Sequence, residues 1–154
     1  MSETEAVSAL FGDYGWLLDT AQYDDWLALF TEASLYQIMP RENLDAGFAA
    51  SLIYCRSKDM LRDRITSLRD VNKYNIHTTR HIIGRSRIGA PAEGRIPAMT
   101  PFAVYQTDQE GVSQLFAVGA YDSLLSRQGG ALQLDSQIVQ LDTFSVPTLL
   151  SDPL

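Results

Sequence analysis

Residues 57–84 of the chain read S-K-D-M-L-R-D-R-I-T-S-L-R-D-V-N-K-Y-N-I-H-T-T-R-H-I-I-G, and their periodicity changes from helical to extended. Ser57 is a favoured N-cap residue, which predicts that a helix begins just after it. Apolar residues then recur at helical spacing, at Leu61, Ile65 and Leu68. The closing segment R-H-I-I-G is short and rich in β-branched residues, which predicts a strand. The fold therefore passes here from helices to a sheet.

The segments before this stretch are shorter and mostly helical in pattern. Apolar spacing predicts helices over residues 4–19 and 22–30, strands over residues 35–38 and 49–55, and a loop over residues 41–48.

The segments after it form a meander of strands. Strands are predicted over residues 80–88, 101–107, 113–125 and 131–144, with turns at D-Q-E-G and Q-G-G between the last three. In the last strand, apolar and polar residues alternate, with Leu132, Leu134 and Ile138 opposed to Gln133, Asp135 and Gln137. This alternation predicts one buried face and one face that meets solvent or a partner.

Helices followed by long antiparallel strands predict an α+β fold. Strands of ten or more residues coil strongly, so the sheet is expected to wrap around the N-terminal helices as an open cone. A length of 154 residues is typical of one domain, and we expect residues 1–154 to form it.

Composition and charge exclude several classes of function. The net charge is -7, which argues against a nucleic-acid partner because phosphate binding needs a basic surface. No apolar run approaches the length of a membrane span, and the single cysteine, Cys55, fits a reducing compartment, so a cytoplasmic protein is expected.

The charge is distributed unevenly along the chain. Residues 56–95 carry a net charge of +6, whereas the remainder carries -13. Such asymmetry could provide complementary faces for self-association or for a partner subunit. Local pairing of charges on solvated surfaces is the alternative.

Several motifs resemble those of a known family. The segment Y-D-D-W-L-A-L-F at residues 23–30, followed by Tyr36, is similar to the opening of the NTF2-like superfamily. The segments P-R-E-N at residues 40–43, S-K-D-M-L-R-D-R-I at residues 57–65 and R-H-I-I-G at residues 80–84 resemble the small (β) subunit of aromatic-ring-hydroxylating dioxygenases. The likeness is strongest to the terephthalate dioxygenase and salicylate hydroxylase branch.

This resemblance implies a partner and a division of labour. Such β subunits assemble with a large α subunit, commonly as an α3β3 hexamer. The α subunit carries a Rieske [2Fe–2S] cluster and a mononuclear Fe(II), and a reductase supplies its electrons. The resemblance implies that the β subunit is structural, that it has no catalytic residues or cofactor of its own, and that the oxygenase acts on an aromatic carboxylic acid.

The small number of cysteines and histidines in the chain agrees with a structural role. A Rieske centre needs two cysteines and two histidines, and a facial triad needs two histidines and a carboxylate. The chain has one cysteine and two histidines, His77 and His81. These histidines lie in a segment expected to be extended, which holds their rings too far apart to chelate a metal. We therefore expect no metal site in this chain.

The rival hypothesis is a free-standing NTF2-like dehydratase or isomerase that uses acid–base chemistry in the cone. Tyr23, Asp24 and His81 resemble two elements of scytalone dehydratase, and Asp24, His81 and Tyr36 are the candidate catalytic residues on this hypothesis. The further histidine of that enzyme is absent, which leaves the acid–base pair incomplete. A base at Asp122 beside Tyr121 is a second arrangement to consider, and a ligand-binding or adaptor module is a third hypothesis.

One arginine stands out on the helix after Ser57. Leu61, Ile65 and Leu68, with Met60 and Val71 at the margin, form an apolar arc at about 100° per residue, and Arg64 falls inside that arc. A guanidinium in such a position needs a paired carboxylate. The sequence therefore predicts that Arg64 is buried and fixes the helix to the sheet. The candidate carboxylates are Asp19, Asp24, Asp25 and Asp122.

Overall fold

The computed structural model describes residues 1–42, 51–72, 76–142 and 153–154. Within these ranges the helices are α1 (Glu3–Asp19), α2 (Tyr23–Leu27) and α3 (Lys58–Asn72). The strands are β1 (Phe30–Pro40), β2 (Ile53–Cys55), β3 (Thr78–Ile83), β4 (Arg87–Ile88), β5 (Ile96–Thr107), β6 (Ser113–Gln128) and β7 (Ala131–Leu141). None of the helices in the described ranges is long and apolar enough to cross a membrane.

Side chains cap the two longer helices at their N-termini. Ser2 and Glu5 form a capping box at the start of α1, in which each side chain binds the backbone N–H of the other. The Ser57 hydroxyl accepts a hydrogen bond from the backbone N–H of Met60 at 3.2 Å. The predicted N-cap of α3 is therefore confirmed.

The strands form one sheet in the order β2-β1-β7-β6-β5-β3, with β4 beside β5. Neighbouring strands are antiparallel except for β1 and β7, which are parallel. The sheet is curved, but its two edge strands, β2 and β3, do not pair with each other, so the sheet does not close into a barrel. This arrangement of helices and sheet confirms the predicted α+β cone.

Helix α1 packs on the concave face of the sheet. Its buried residues Val7, Phe11, Tyr14 and Leu18 share one stripe. Gly15 lies at the closest approach, where an added Cβ would be 2.7 Å from Cδ1 of Ile83 and 3.1 Å from Cβ of His81. A residue without a side chain is needed there because it lets α1 approach β3.

Several element boundaries differ from the sequence-based expectations. The helix expected over residues 22–30 ends at Leu27, and Phe30 instead begins β1, where it pairs with Leu134 of β7. The strand expected over residues 80–88 is divided into β3 and β4. Most of the expected loop over residues 41–48, and part of the expected strand over residues 49–55, lie outside the described residues; Arg41 and Glu42 are helical.

The bounds of β5 also differ from the expected ones. Both β3 and β4 pair with β5, and between them the N–H of Gly84 donates to the carbonyl of Pro101. The sequence predicts a strand over residues 101–107 at this place. The strand instead starts at Ile96 and accommodates both Pro97 and Pro101.

The predicted alternation of β7 is correct only for its first half. Leu134 is buried, but beyond it Gln137, Val139 and Leu141 face the core, whereas Ile138 does not. The register shifts where Leu125 pairs with Leu134 while Leu124 pairs with Ser136, which leaves an extra residue in β7. A bulge of one residue moves every later side chain to the opposite face, and this explains the inversion.

The prediction for Arg64 is wrong. Arg64 is exposed, and within the described ranges no carboxylate pairs with it. Among the side chains of α3 that the structure describes, at residues 58–69, Leu61 and Ile65 are buried, while Met60 is 39% exposed. The buried arc is thus narrower than the apolar arc of the sequence, and Arg64 lies just beyond its edge with its guanidinium in solvent.

Candidate functional site

Aromatic side chains from both layers fill the interior of the cone. Tyr14 comes from α1, Trp26 from α2, Tyr36 from β1 and Tyr121 from β6, and each is at most 1% exposed. The ring centroids of Tyr14 lie 5.5 Å from Trp26 and 5.1 Å from Tyr121, and Trp26 lies 5.8 Å from Tyr36. These separations are typical of packed aromatic pairs, so the interior is a packed aromatic cluster.

A buried Asp–His pair lies at one side of this cluster. Asp19, the last residue of α1, accepts a hydrogen bond from the backbone N–H of His81 at 2.9 Å. Its carboxylate also lies 2.6 Å from Nδ1 of the His81 ring, and the two side chains are 3% and 1% exposed. Because β3 is an edge strand, the backbone N–H of His81 is available to α1 rather than to another strand.

Two tyrosine hydroxyls converge on a single oxygen. Tyr14 donates to the main-chain oxygen of Leu154 at 2.6 Å, and Tyr36 donates to the same atom at 2.8 Å. The N–H of Leu154 donates to the Tyr36 hydroxyl at 3.0 Å. Leu154 itself is fully buried in the same cluster.

Burial keeps these hydroxyls protonated. It raises the pKa of Tyr14 far above its ordinary value, although contacts with Gln137, Tyr36 and Trp26 partly oppose the shift. Burial likewise raises the pKa of Tyr36 and of Tyr121, and the charge of nearby Asp19 adds to the effect at Tyr121. The three hydroxyls therefore keep their protons above pH 10.0, where an exposed tyrosine ionises.

Several buried polar atoms of the interior have no hydrogen-bond partner among the described residues. They include Nε2 of His81, the hydroxyl of Tyr121, Nε1 of Trp26 and Nε2 of Gln137. The Gln137 side chain is positioned by Ser123, which donates to its Oε1. Buried polar groups are usually paired, so this interior carries more hydrogen-bonding capacity than the described chain uses.

The structure separates the three candidate catalytic residues of the enzyme hypothesis. Tyr36 and His81 are buried inside the cone, whereas the side chain of Asp24 is 93% exposed and lies 4.0 Å from Arg69. The carboxylate that meets His81 is instead Asp19. Asp24 therefore cannot complete an acid–base site with His81.

The alternative pair of Tyr121 and Asp122 is also divided. Tyr121 points into the core, and Asp122 lies on the opposite face of β6, where Nε2 of Gln140 approaches it at 3.4 Å. Partial burial raises the pKa of the Asp122 carboxyl. Adjacent residues of a strand point to opposite faces, so this pair cannot share one pocket.

Metal ligands do not gather in the described part of the chain. No group of three or more histidine, cysteine, aspartate or glutamate side chains there could hold a metal ion. His77 precedes β3, and His81 lies within it and is bound to Asp19. Cys55 is a buried free thiol whose pKa is raised by burial, an effect that the charge of Arg64 partly offsets.

Sequence reasoning missed four residues of the interior: Tyr14, Asp19 as the partner of His81, Gln137 and Leu154. Tyr14 was visible only as one member of an apolar stripe. The alternation pattern of the sequence places Gln137 on the face opposite the core, because the bulge in β7 leaves no signal in that pattern. The contact of Leu154 spans 118 residues to Tyr36, and no local pattern predicts such a contact.

Comparisons with known proteins agree with this architecture. Residues 15–148 match the family described as the ring hydroxylating beta subunit. The chain is 36% identical to the anthranilate 1,2-dioxygenase small subunit of Burkholderia cepacia, over 89% of this chain and 85% of that one. It is 32% identical to a terephthalate 1,2-dioxygenase terminal oxygenase β subunit (beta 2) of a Comamonas species, over 96% of each chain.

A solved structure extends the agreement to three dimensions. A β subunit ascribed to an aromatic-ring-hydroxylating dioxygenase of Novosphingobium aromaticivorans superposes with a TM-score of 0.88. That pair is 34% identical and covers 98% of this chain and 96% of the other.

The cone of helices and open sheet places the chain among proteins of NTF2-like fold. Within that class, the chain belongs to the family of ring-hydroxylating dioxygenase β subunits. Membership supports the structural-subunit hypothesis over that of a free-standing acid–base enzyme.

Proposed function

We propose that this chain is the non-catalytic small subunit of a Rieske non-haem iron dioxygenase that acts on an aromatic carboxylic acid. The observation that carries the proposal is the family match over residues 15–148. The relatives named for anthranilate and terephthalate dioxygenases support a carboxylated aromatic substrate. The salicylate hydroxylase branch, also suggested by the motifs, stays a prediction.

The iron centres of the proposed oxygenase belong to a large α subunit. Support comes from the ligand count, since the chain has one cysteine and two histidines, and His81 is engaged by Asp19. The role proposed for this chain is to support assembly of the α subunit, with an α3β3 hexamer and a trimer of small subunits as the expected stoichiometry. We also propose a cytoplasmic location and a single domain over residues 1–154.

The convex side of the sheet supports an assembly role. Ile82, Met99, Tyr105 and Leu115 are between 40% and 56% exposed, and we call these four residues the outer face. Tyr105 is aligned with Leu115 on the neighbouring strand, and both lie on the side of the sheet opposite the helices. Large exposed apolar groups in one area are typical of interaction surfaces.

Charge supports the same conclusion. Arg80, Arg85 and Arg87 lie near the outer face, are exposed, and form no ion pair with any described residue. Four other basic residues of the segment 56–95 do form ion pairs, as in the contact of Arg62 with Asp59 at 2.6 Å. Arg80, Arg85 and Arg87 are therefore free to meet acidic groups of another copy or of the α subunit, as a heterologous contact between subunits allows.

The test is to purify the chain alone and together with the large oxygenase subunit encoded in the same genome. Alone, the chain should be colourless, free of iron and inactive on terephthalate and anthranilate. Together, the two chains should co-purify as a coloured complex, and sedimentation should give the mass of α3β3. Stoichiometric iron or Fe–S absorbance in the isolated chain would contradict the proposal, and so would a chain that stays monomeric beside its large subunit.

A further inference from the structure

The two hydroxyls that bind Leu154 are held by separate parts of the fold. Tyr14 is fixed on α1 and Tyr36 on β1, and the ring of Trp26 packs against both. Their hydroxyls meet at one main-chain oxygen, at 2.6 and 2.8 Å. Two neutral donors aimed at one oxygen in a site without solvent exposure form an arrangement that recognises a carbonyl or carboxylate group.

The other half of the group bound there is apolar. The side chain of Leu154 is fully buried within the cluster that contains Tyr14, Trp26 and Tyr36. The occupant is therefore a branched apolar group carrying an oxygen acceptor. Small-molecule sites commonly combine an aromatic lining with a few convergent polar groups, and this interior has both.

The same interior offers polar atoms that Leu154 does not engage. Nε2 of His81 and the hydroxyl of Tyr121 are buried and have no partner among the residues that the structure describes. Asp19 fixes the His81 ring through Nδ1, which leaves Nε2 directed away from the carboxylate. A ligand with more polar atoms than leucine would find partners here.

We propose that the cone interior is a ligand-binding site for small carboxylic acids or carbonyl compounds with a branched or aromatic apolar group, and that Leu154 occupies it as an internal ligand. Such a compound competes with Leu154 for the hydroxyls of Tyr14 and Tyr36. The site lies within this chain and uses no residue of the outer face. The proposal therefore stands apart from assembly with a large subunit.

The test uses 4-methylpentanoate, which carries the leucine side chain and a carboxylate, and measures its binding by calorimetry and thermal unfolding. In the full chain, Leu154→Gly removes the internal side chain, and this variant should bind the probe with 1:1 stoichiometry and gain thermal stability from it. Adding Tyr36→Phe should weaken binding about tenfold, the effect of one lost hydrogen bond to a charged group. Leu115→Gly, a matched change on the outer face, should create no such binding.

A second measurement keeps the test independent of how well Leu154→Gly folds. In the unaltered chain, the ¹³C methyl resonances of Leu154 should shift as the probe is added, because the probe displaces the side chain. The proposal is overturned if those resonances stay unchanged at saturating probe. It is equally overturned if a folded Leu154→Gly variant binds no probe, or binds it as well with Tyr36→Phe as without.

Discussion

Tyr14, Tyr36 and Tyr121 place three phenol groups in an interior that is at most 1% exposed. A phenolate there would lose its hydration without gaining a positive partner, and this is why burial raises the pKa of each residue. The unfolded chain has no such restriction, so its tyrosines ionise near the ordinary value of 10.0.

We predict a biphasic tyrosine titration. Below pH 10 both states keep these protons, and the three residues add no pH dependence to stability. Above it the unfolded state binds fewer protons than the folded state, so the free energy of unfolding falls as pH rises. Ultraviolet absorbance of tyrosinate should show three of the seven tyrosines ionising only as the chain unfolds.

A titration in denaturant, where all tyrosines ionise together, is the control for that experiment. Tyr36→Phe should remove one tyrosine from the late phase alone. Complete ionisation in a single early phase, with native circular dichroism, would contradict the assignment.

The sequence predicts the burial of some residues but not the partners that they contact. The burial of Tyr36 and His81 agrees with the strands that the sequence predicts over residues 35–38 and 80–88, although the second is divided into β3 and β4. The pairing of His81 with Asp19 was not predictable, because it depends on Gly15 bringing the end of α1 against β3. Nothing in the sequence around Gly15 indicates that α1 contacts β3 at this residue.

At the level of elements, α3 shows what a periodic pattern does and does not determine. Its start was predictable because Ser57 supplies a local cap. The width of its buried face was not predictable from the sequence, because that width depends on how α3 packs against β1. The bulge in β7 was not predictable either. One extra residue inverts the later alternation, and the composition of the strand gives no sign of it.

Two substitutions on α3 should separate the buried face from its margin. Ile65→Ala should lower the free energy of unfolding by about 2–5 kcal/mol, because Ile65 is 3% exposed and its removal leaves a cavity. Arg64→Ala should change it by less than about 0.5 kcal/mol, because the guanidinium is in solvent. Urea denaturation of both variants measures the difference. A large loss in Arg64→Ala would show that the arginine is paired after all.

For the whole molecule, the two faces of the sheet have different surroundings. The concave face is filled by α1 and the aromatic cluster, and this was expected from the order of helices and strands. The convex face is left uncovered by the described elements, although it carries large apolar residues. The sequence predicted an uneven charge but could not locate this surface, because exposure of β3, β5 and β6 follows from the direction in which the sheet curves.

We predict that assembly with a large subunit depends on the outer face. Ile82→Glu and Tyr105→Glu place a charge where the side chains are 56% and 42% exposed, so the isolated chain should keep its melting temperature within a few degrees. A buried interface cannot hold an unpaired carboxylate without a large desolvation cost, so co-purification with the large subunit should be lost. Trp16→Glu, at a 58% exposed residue of α1, is the matched control and should assemble normally. If all three variants assemble as the unaltered chain does, the outer face is not the subunit interface; if Trp16→Glu alone fails, the interface lies on the helical side of the cone.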